Sequence, residues 1–315
     1  MRKFALVFPG QGAQYVGMGR EFYDEFPVAR DVYAEAGDVL GLDMAALSFE
    51  GPREKLDQTI FTQSSVLTAD IAAFRVFEKE SGARPVVMAG HSLGEYGAIH
   101  ASGAVKFGRL VYLVDVRARL QQEEVPLGQG GMAAVLDMKP DVLENICGEV
   151  RSSGGAVYIA ILNGPGQIVI AGLTAALDEA IARVRQSGGK ALKIPVSVPF
   201  HCELMNGAAR RYAEVLSENG FEDFAVPVIP NCDPDTFYTR DNVRGLLVKQ
   251  IHSVVKWQES IEKMAALGVE LIIEVGPRKI LSGLIKRMKK DFLIANVEDL
   301  ESLRKSLMLL NPSGG

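Results

Sequence analysis

Val86-Val87-Met88-Ala89-Gly90-His91-Ser92-Leu93-Gly94-Glu95 is the stretch on which the reading of this chain turns. Its apolar start reads as a short buried strand, and Leu93 to His100 reads as a helix. Between them a serine stands flanked by Gly90 and Gly94. A sharp strand-to-helix turn has no room for bulk, so glycine on both sides lets the backbone bend and expose the hydroxyl. A helix starting at Leu93 turns unpaired backbone N–H groups toward the serine, which suits the oxyanion formed when Ser92 attacks a carbonyl. Ser92 is therefore a candidate acyl carrier. The same residues also describe a tight turn with a capping serine, and the motif alone leaves both readings open. A second element favours the first reading: Phe4 to Phe8 is an apolar strand that runs into the glycine-rich Pro9-Gly10-Gln11-Gly12. A neighbouring strand end of this kind can donate a second N–H to the same oxyanion.

The chain has 315 residues, 48% of them hydrophobic, enough for two domains or one large domain with an insertion. Its 34 basic and 39 acidic residues leave a net charge of −5, which gives no electrostatic case for a nucleic-acid partner. Cys147, Cys202 and Cys232 are widely spaced, so neither a disulfide framework nor a zinc cage is expected, and the simplest setting is a reducing cytoplasm. The apolar stretch after Met1-Arg2-Lys3 ends at Pro9 and reads as a first strand, not a signal peptide. No apolar run approaches the roughly 20 residues that span a bilayer, so no membrane partner is expected.

Helical periodicity runs over Glu21 to Leu47, Gln63 to Glu80 and Val105 to Glu124, alternating with the strands. That alternation predicts an α/β architecture with a largely parallel sheet, and Ser92 at a strand's carboxyl end is where such sheets place ligands. The rhythm changes after Pro126. Gly131–Leu136, Val157–Leu162, Ile168–Ala171 and Ala191–Ile194 read as strands, with helices over Asp141–Arg151 and Ala175–Gln186. The order βαββαβ is the split ferredoxin-like unit. The expected fold is thus a large α/β-hydrolase-like parallel-sheet domain, residues 1–127 and 198–315, with a small ferredoxin-like domain, 128–197, inserted. Downstream, Glu203 to Asn219 and Arg240 to Ala266 read as helical, Val228 to Asn231 and Leu271 to Val275 as strands. A further helix ends in Lys286-Arg287-Met288-Lys289-Lys290, and Asn311 to Gly315 reads as a frayed tail.

A serine hydroxyl needs a base, and the chain has four histidines. His100 lies on the elbow helix in a structural place, His91 adjoins the nucleophile and points apart from it, and His252 follows a helix. His201, in the proline-constrained loop Val198-Pro199-Phe200-His201-Cys202, is the best candidate.

With these residues in view the chain resembles the malonyl-CoA:acyl-carrier-protein transacylases, the acyltransferase family of fatty acid and polyketide synthesis. The likeness covers nearly the whole chain. It rests on Phe8 to Gly12, Gly90 to Glu95, Leu113 to Arg117, Asn163-Gly164-Pro165, Pro199 to Met205 and Glu274 to Pro277, in that order. The resemblance implies that Ser92 is acylated, that His201 is its general base, and that the main-chain carbonyl of Gln250 orients His201 in place of an aspartate. It implies the backbone amides of Gln11 and Leu93 as the oxyanion hole, and Arg117 as partner of the acyl group's free carboxylate, which a guanidinium grips through two parallel hydrogen bonds.

Two positions bear on acyl preference. The family's arginine helix commonly continues with glycine and later a methionine, where this chain has Ala118 and Gln121, so Gln121 is expected to put an amide into the acyl pocket. Phe200, just before His201, fits relatives in which bulk disfavours an α-methyl group, and His91 is expected in a supporting role, a further candidate for contact with the substrate. The implied substrates are malonyl-CoA and the phosphopantetheine thiol of holo-acyl carrier protein, with no metal and no redox cofactor. The rival readings are a trans-acting polyketide acyltransferase, a serine acyl hydrolase of the same fold, and a non-catalytic carrier-binding module. An acidic carrier would be met by the basic residues Lys190, Lys193, Lys286, Arg287, Lys289 and Lys290.

Overall fold

Two sheets carry the molecule. The computed structural model describes residues 2–196, 198–288 and 291–311. Strands β1 (Phe4–Phe8), β2 (Val87–Gly90), β7 (Leu271–Val275) and β8 (Leu293–Val297) form a parallel sheet in the order β2-β1-β7-β8. Every residue of β1, β2 and β7 is buried, as expected of strands covered by helices on both faces. Between β2 and β7 in the sequence come β3 (Gly130–Leu136), β4 (Val157–Gly164), β5 (Gln167–Leu173) and β6 (Lys190–Ile194), an antiparallel sheet ordered β4-β5-β3-β6. With helices Pro140–Ser152 and Thr174–Gln186 these make the βαββαβ unit, ferredoxin-like in topology.

The period of two in these strands divides the small sheet's residues between two cores. Ala133, Val135, Ile168 and Ile170 face the two helices in a core of their own, whereas Met132, Val169 and Ala171 on the opposite face join the main core under the parallel sheet. The small sheet therefore roofs the large one, and the space between them lies at the carboxyl ends of β1 and β2.

Several elements differ from the sequence reading. The helical run from Glu21 to Leu47 is three helices, Arg20–Glu25, Pro27–Leu40 and Met44–Glu50. Pro27 opens the second, where its missing N–H costs nothing, Gly41 closes it in a left-handed conformation, and Asp43 caps the third by accepting from Ala46 N at 2.8 Å. The run from Arg240 to Ala266 is two helices, Val243–His252 and Trp257–Ala266. The Val228–Asn231 strand reduces to a single bridge from Val228 to Met88. Strand β8 and the last helix, Leu300–Leu310, were not foreseen. The expected domain return at residue 197, the tail residues 312–315, and Lys289 and Lys290 lie outside the described residues. All three cysteines are free and buried.

Candidate active site

Adjacent parallel strands end side by side, and this places the site. Phe8 of β1 pairs with Gly90 of β2, so the Pro9-Gly10-Gln11 loop and the His91-Ser92-Leu93 turn leave the sheet together. The approach is too close for side chains. A Cβ on Gly10 would stand 2.4 Å from the His91 carbonyl oxygen, one on Gly90 would stand 1.9 Å from the Gly94 carbonyl carbon, and one on Gly94 would stand 2.0 Å from the Phe8 carbonyl oxygen. The elbow glycines are thus required by contact between backbones, while the left-handed bend falls on Ser92 itself, with φ 53°. A non-glycine residue held there costs about 1–3 kcal/mol, which the surrounding structure must offset. His201 shares the same unusual conformation, with φ 59°.

The Ser92 hydroxyl oxygen lies 2.6 Å from His201 Nε2. On the other side of the ring, Nδ1 lies 2.9 Å from the Gln250 carbonyl oxygen, which only accepts, so Nδ1 carries the proton and Nε2 is left to accept from the serine. Burial, reinforced by the positive charge of Arg117, pushes the His201 imidazole down to about 3. The ring is therefore held neutral.

Arg117 is 1% exposed, in the middle of helix Phe107–Glu124. It donates through Nη1 to Gln63 Oε1 at 2.6 Å and through Nη2 to Gln250 Oε1 at 3.0 Å, and Nη2 reaches Ser92 Oγ at 3.3 Å. Its guanidinium carbon stands 5.3 Å from the centre of the Tyr96 ring. These hydrogen-bond partners are amide and hydroxyl oxygens, and among the described residues no carboxylate is hydrogen-bonded to this buried cation.

Ser92, His201, Arg117, Gln11, Leu93, His91 and Phe200 all line one cavity of about 90 Å³, with Met132, Ile161 and Ile194 as its apolar roof from the small sheet. His91 makes no bond to Ser92 Oγ: its Nε2 lies 2.9 Å from Asn163 Oδ1, its ring meets Trp257 edge to face, and burial lowers its basicity. It is a wall of the cavity and a link to the small sheet.

Gln121 departs from the expectation. It lies behind the cavity, where its Oε1 accepts from Gln63 Nε2 at 3.1 Å, and Gln63 is the amide that faces the acyl space. Helix geometry explains the difference, because residue 121 is one turn beyond Arg117 on the same face and points back toward the arginine's support. Gln63 escaped the sequence reading, although its helix carried a signal: Thr62, Gln63, Ser64, Ser65 and Thr68 are all buried polar residues in one short stretch of a long helix.

The acyl transferase domain model matches residues 5–305. The malonyl CoA-acyl carrier protein transacylases of Bacillus subtilis strain 168 and Escherichia coli strain K12 are each 41% identical to this chain, over 311 and 310 residues, covering 98% of it and 98% and 100% of the relatives. A solved malonyl-transacylase in complex with its type II polyketide synthase acyl-carrier protein matches with a TM-score of 0.95 at 39% identity, over 98% of this chain and 99% of that one.

Proposed function

We propose, from the premise that this chain belongs to the acyl transferase family, that it transfers malonyl from coenzyme A to the phosphopantetheine thiol of an acyl carrier protein through an ester on Ser92. One observation carries the residue assignment: a single hydroxyl oxygen lies 2.6 Å from a neutral histidine nitrogen and 3.3 Å from a buried guanidinium. The first group takes the proton and the second holds the carboxylate that distinguishes malonyl from acetyl.

His201 Nε2 accepts the Ser92 proton as Oγ attacks the thioester carbonyl, and the resulting oxyanion sits against the backbone N–H groups of Gln11 and Leu93. Collapse expels coenzyme A, whose sulfur takes the proton from His201. The carrier thiol then gives its proton to His201 and attacks the malonyl-serine ester; as the Oγ–acyl bond breaks, His201 returns that proton to Ser92 Oγ and malonyl-carrier leaves. Gln250 keeps the imidazole in the correct tautomer through both halves, the part an aspartate plays elsewhere. Exchange between two thioesters of similar energy calls for no metal or redox cofactor.

The setting we assign is fatty acid biosynthesis in the cytoplasm, and no described helix is long and apolar enough to cross a membrane. Transfer to a polyketide carrier is the same chemistry with a different acceptor. A hydrolase would gain nothing from an arginine poised for a second carboxylate, and a silent carrier-binding module would have no use for an aligned Ser92 and His201. Intact-mass measurement after mixing with malonyl-, methylmalonyl- and acetyl-CoA tests the proposal. A malonyl increment on the wild type and none on Ser92→Ala is expected; an equal increment on the variant overturns it.

A further inference from the structure

We propose that Asn231 and Glu95 are positioning residues for this acyl transfer, a buried brace that ties the backbone of the nucleophile and the support of the base to one carboxylate. The inference rests on the assignment of Ser92 and His201 above. It starts from the strain at Ser92, whose left-handed backbone persists only if its neighbours determine it.

Asn231 supplies that constraint. Its side-chain Oδ1 accepts from Ser92 N at 2.7 Å, and its Nδ2 donates to the Gly90 carbonyl oxygen at 2.6 Å. One amide thus clasps the elbow before and after His91. The clasp has only one orientation, because a backbone N–H can only donate and a carbonyl can only accept. The carbonyl of Ser92 is held as well, accepting from Gln250 Nε2 at 2.8 Å. Both peptide groups flanking the nucleophile's side chain are therefore fixed by buried side-chain amides.

These two amide residues meet at Glu95. Its Oε2 accepts from Asn231 N at 3.2 Å and from Gln250 Nε2 at 2.9 Å, and its Oε1 accepts from the Tyr238 hydroxyl. Gln250 is in turn the residue whose carbonyl oxygen receives His201 Nδ1. A displacement of Glu95 therefore moves the holder of the nucleophile and the holder of the base together. Glu95, Asn231 and Gln250 are each fully buried, so water cannot replace a lost partner at low cost. None of Glu95, Asn231 or Tyr238 lines the acyl cavity, so the brace acts through other residues and not on the substrate.

Asn231→Ala removes the clasp, and Glu95→Gln keeps the volume of the brace while replacing one of its two accepting oxygens with a donating amide. Two rates report on them: acylation by malonyl-CoA, split into kcat and KM, and labelling of Ser92 by a small fluorophosphonate, which needs the aligned nucleophile but no malonyl site. For Asn231→Ala we expect both rates to fall together by about 10- to 100-fold, the effect of misplacing reacting atoms by a fraction of an ångström, with KM for malonyl-CoA little changed. Glu95→Gln should lower both rates in parallel by less, and the double variant should fall short of the product of the two, because both act on one unit. A folded Asn231→Ala protein labelled at the wild-type rate overturns the proposal. Should that variant fail to fold, Glu95→Gln decides: parallel loss of both rates supports the brace, and wild-type labelling with a lowered Tm overturns it. Ser92→Ala, run alongside, separates the two readings, since labelling of that variant would defeat the nucleophile assignment itself.

Discussion

Arg117 holds a full charge in a dry place, bonded only to neutral oxygens, and this makes it the residue whose removal is most informative. Arg117→Ala should lose about 2–4 kcal/mol of transition-state stabilisation for malonyl-CoA while sparing or improving acetyl-CoA, whose acyl group has no carboxylate to pair. Parallel kcat/KM measurements on the two substrates check this, and equal losses would assign the arginine to structure. His201→Ala should slow acylation by about 10²–10⁴-fold, the usual worth of a positioned base. Ser92 and His201 were legible because chemistry restricts them to a glycine-flanked turn and a proline-constrained loop. Arg117 was not legible from the residues, since an arginine on a helix looks the same buried or solvated, and the resemblance alone chose it over Arg119, which pairs at 2.8 Å with Asp115 on the surface. Gln63 was marked only by the run of polar residues around it, and Asn231 carried no signature at all. An amide becomes part of a site only through partners far away in sequence, and Asn231 reaches Ser92 across 139 residues.

At the scale of elements, periodicity located most helices but could not see where tertiary contacts interrupt them. Nothing local between Ser253 and Lys256 demands a break. The cause is Val255, whose N–H donates to the Ala160 carbonyl at 3.0 Å and whose carbonyl accepts from Leu162 N at 2.8 Å, pairing this segment with the edge of β4 instead of continuing the helix. The elbow helix Gly94–Ala101 offers a test at this scale. Near its carboxyl end, His100 lies with Nδ1 2.7 Å from the Val105 carbonyl oxygen and Nε2 3.1 Å from Arg75 Nη2. A helix end ordinarily favours a protonated histidine, yet burial wins here and, with the Arg75 charge, pushes the imidazole down from 6.5 to about 4. The unfolded chain takes up a proton near 6.5 that the folded chain refuses until about 4, so this residue makes stability fall as pH drops through that window. A one-proton difference is worth about 1.4 kcal/mol per pH unit. His100→Gln should flatten the acid side of the stability curve by up to that slope, as read from urea unfolding at a series of pH values; an unchanged slope would mean the ring is already protonated in the native state.

Across the whole molecule, the reaction needs a second protein to reach a cavity roofed by the small sheet. The expected basic surface is only partly free for that purpose. Lys193 lies 2.6 Å from Asp178, and Lys190 stands 3.8 Å from Asp137, so both are offset by carboxylates of their own sheet's surroundings. Arg287, exposed with Lys286 on helix Ile280–Met288, instead donates to the neutral amide of Gln167 at 3.4 Å. It borders a groove shared with Asn163, whose side chain is hydrogen-bonded to His91 in the wall of the cavity. Charge reversal at Lys286 and Arg287 should therefore raise KM for an acidic carrier at low ionic strength, with acylation by malonyl-CoA unchanged, and reversal at Lys193 should do little. Carrier KM values that do not respond would move the docking face elsewhere. The two-sheet plan itself was readable in the sequence, because a period of two and the order βαββαβ are local patterns. How the small sheet sits on the large one was not readable, since it depends on which face of Met132, Val169 and Ala171 finds the main core.

The burial of Cys147, Cys202 and Cys232 has a consequence for an enzyme whose acyl donor is a thioester and whose acceptor is a thiol. Each protein sulfhydryl, pushed up to about 12 by its surroundings, stays protonated and out of reach. Only a thiolate exchanges with a thioester or attacks a disulfide. Sulfur therefore enters and leaves this protein solely as cargo. The acyl group meets no competent thiol on the protein, and the enzyme can work in a pool of coenzyme A and carrier thiols without scrambling acyl groups onto its cysteines or becoming disulfide-linked to what it handles.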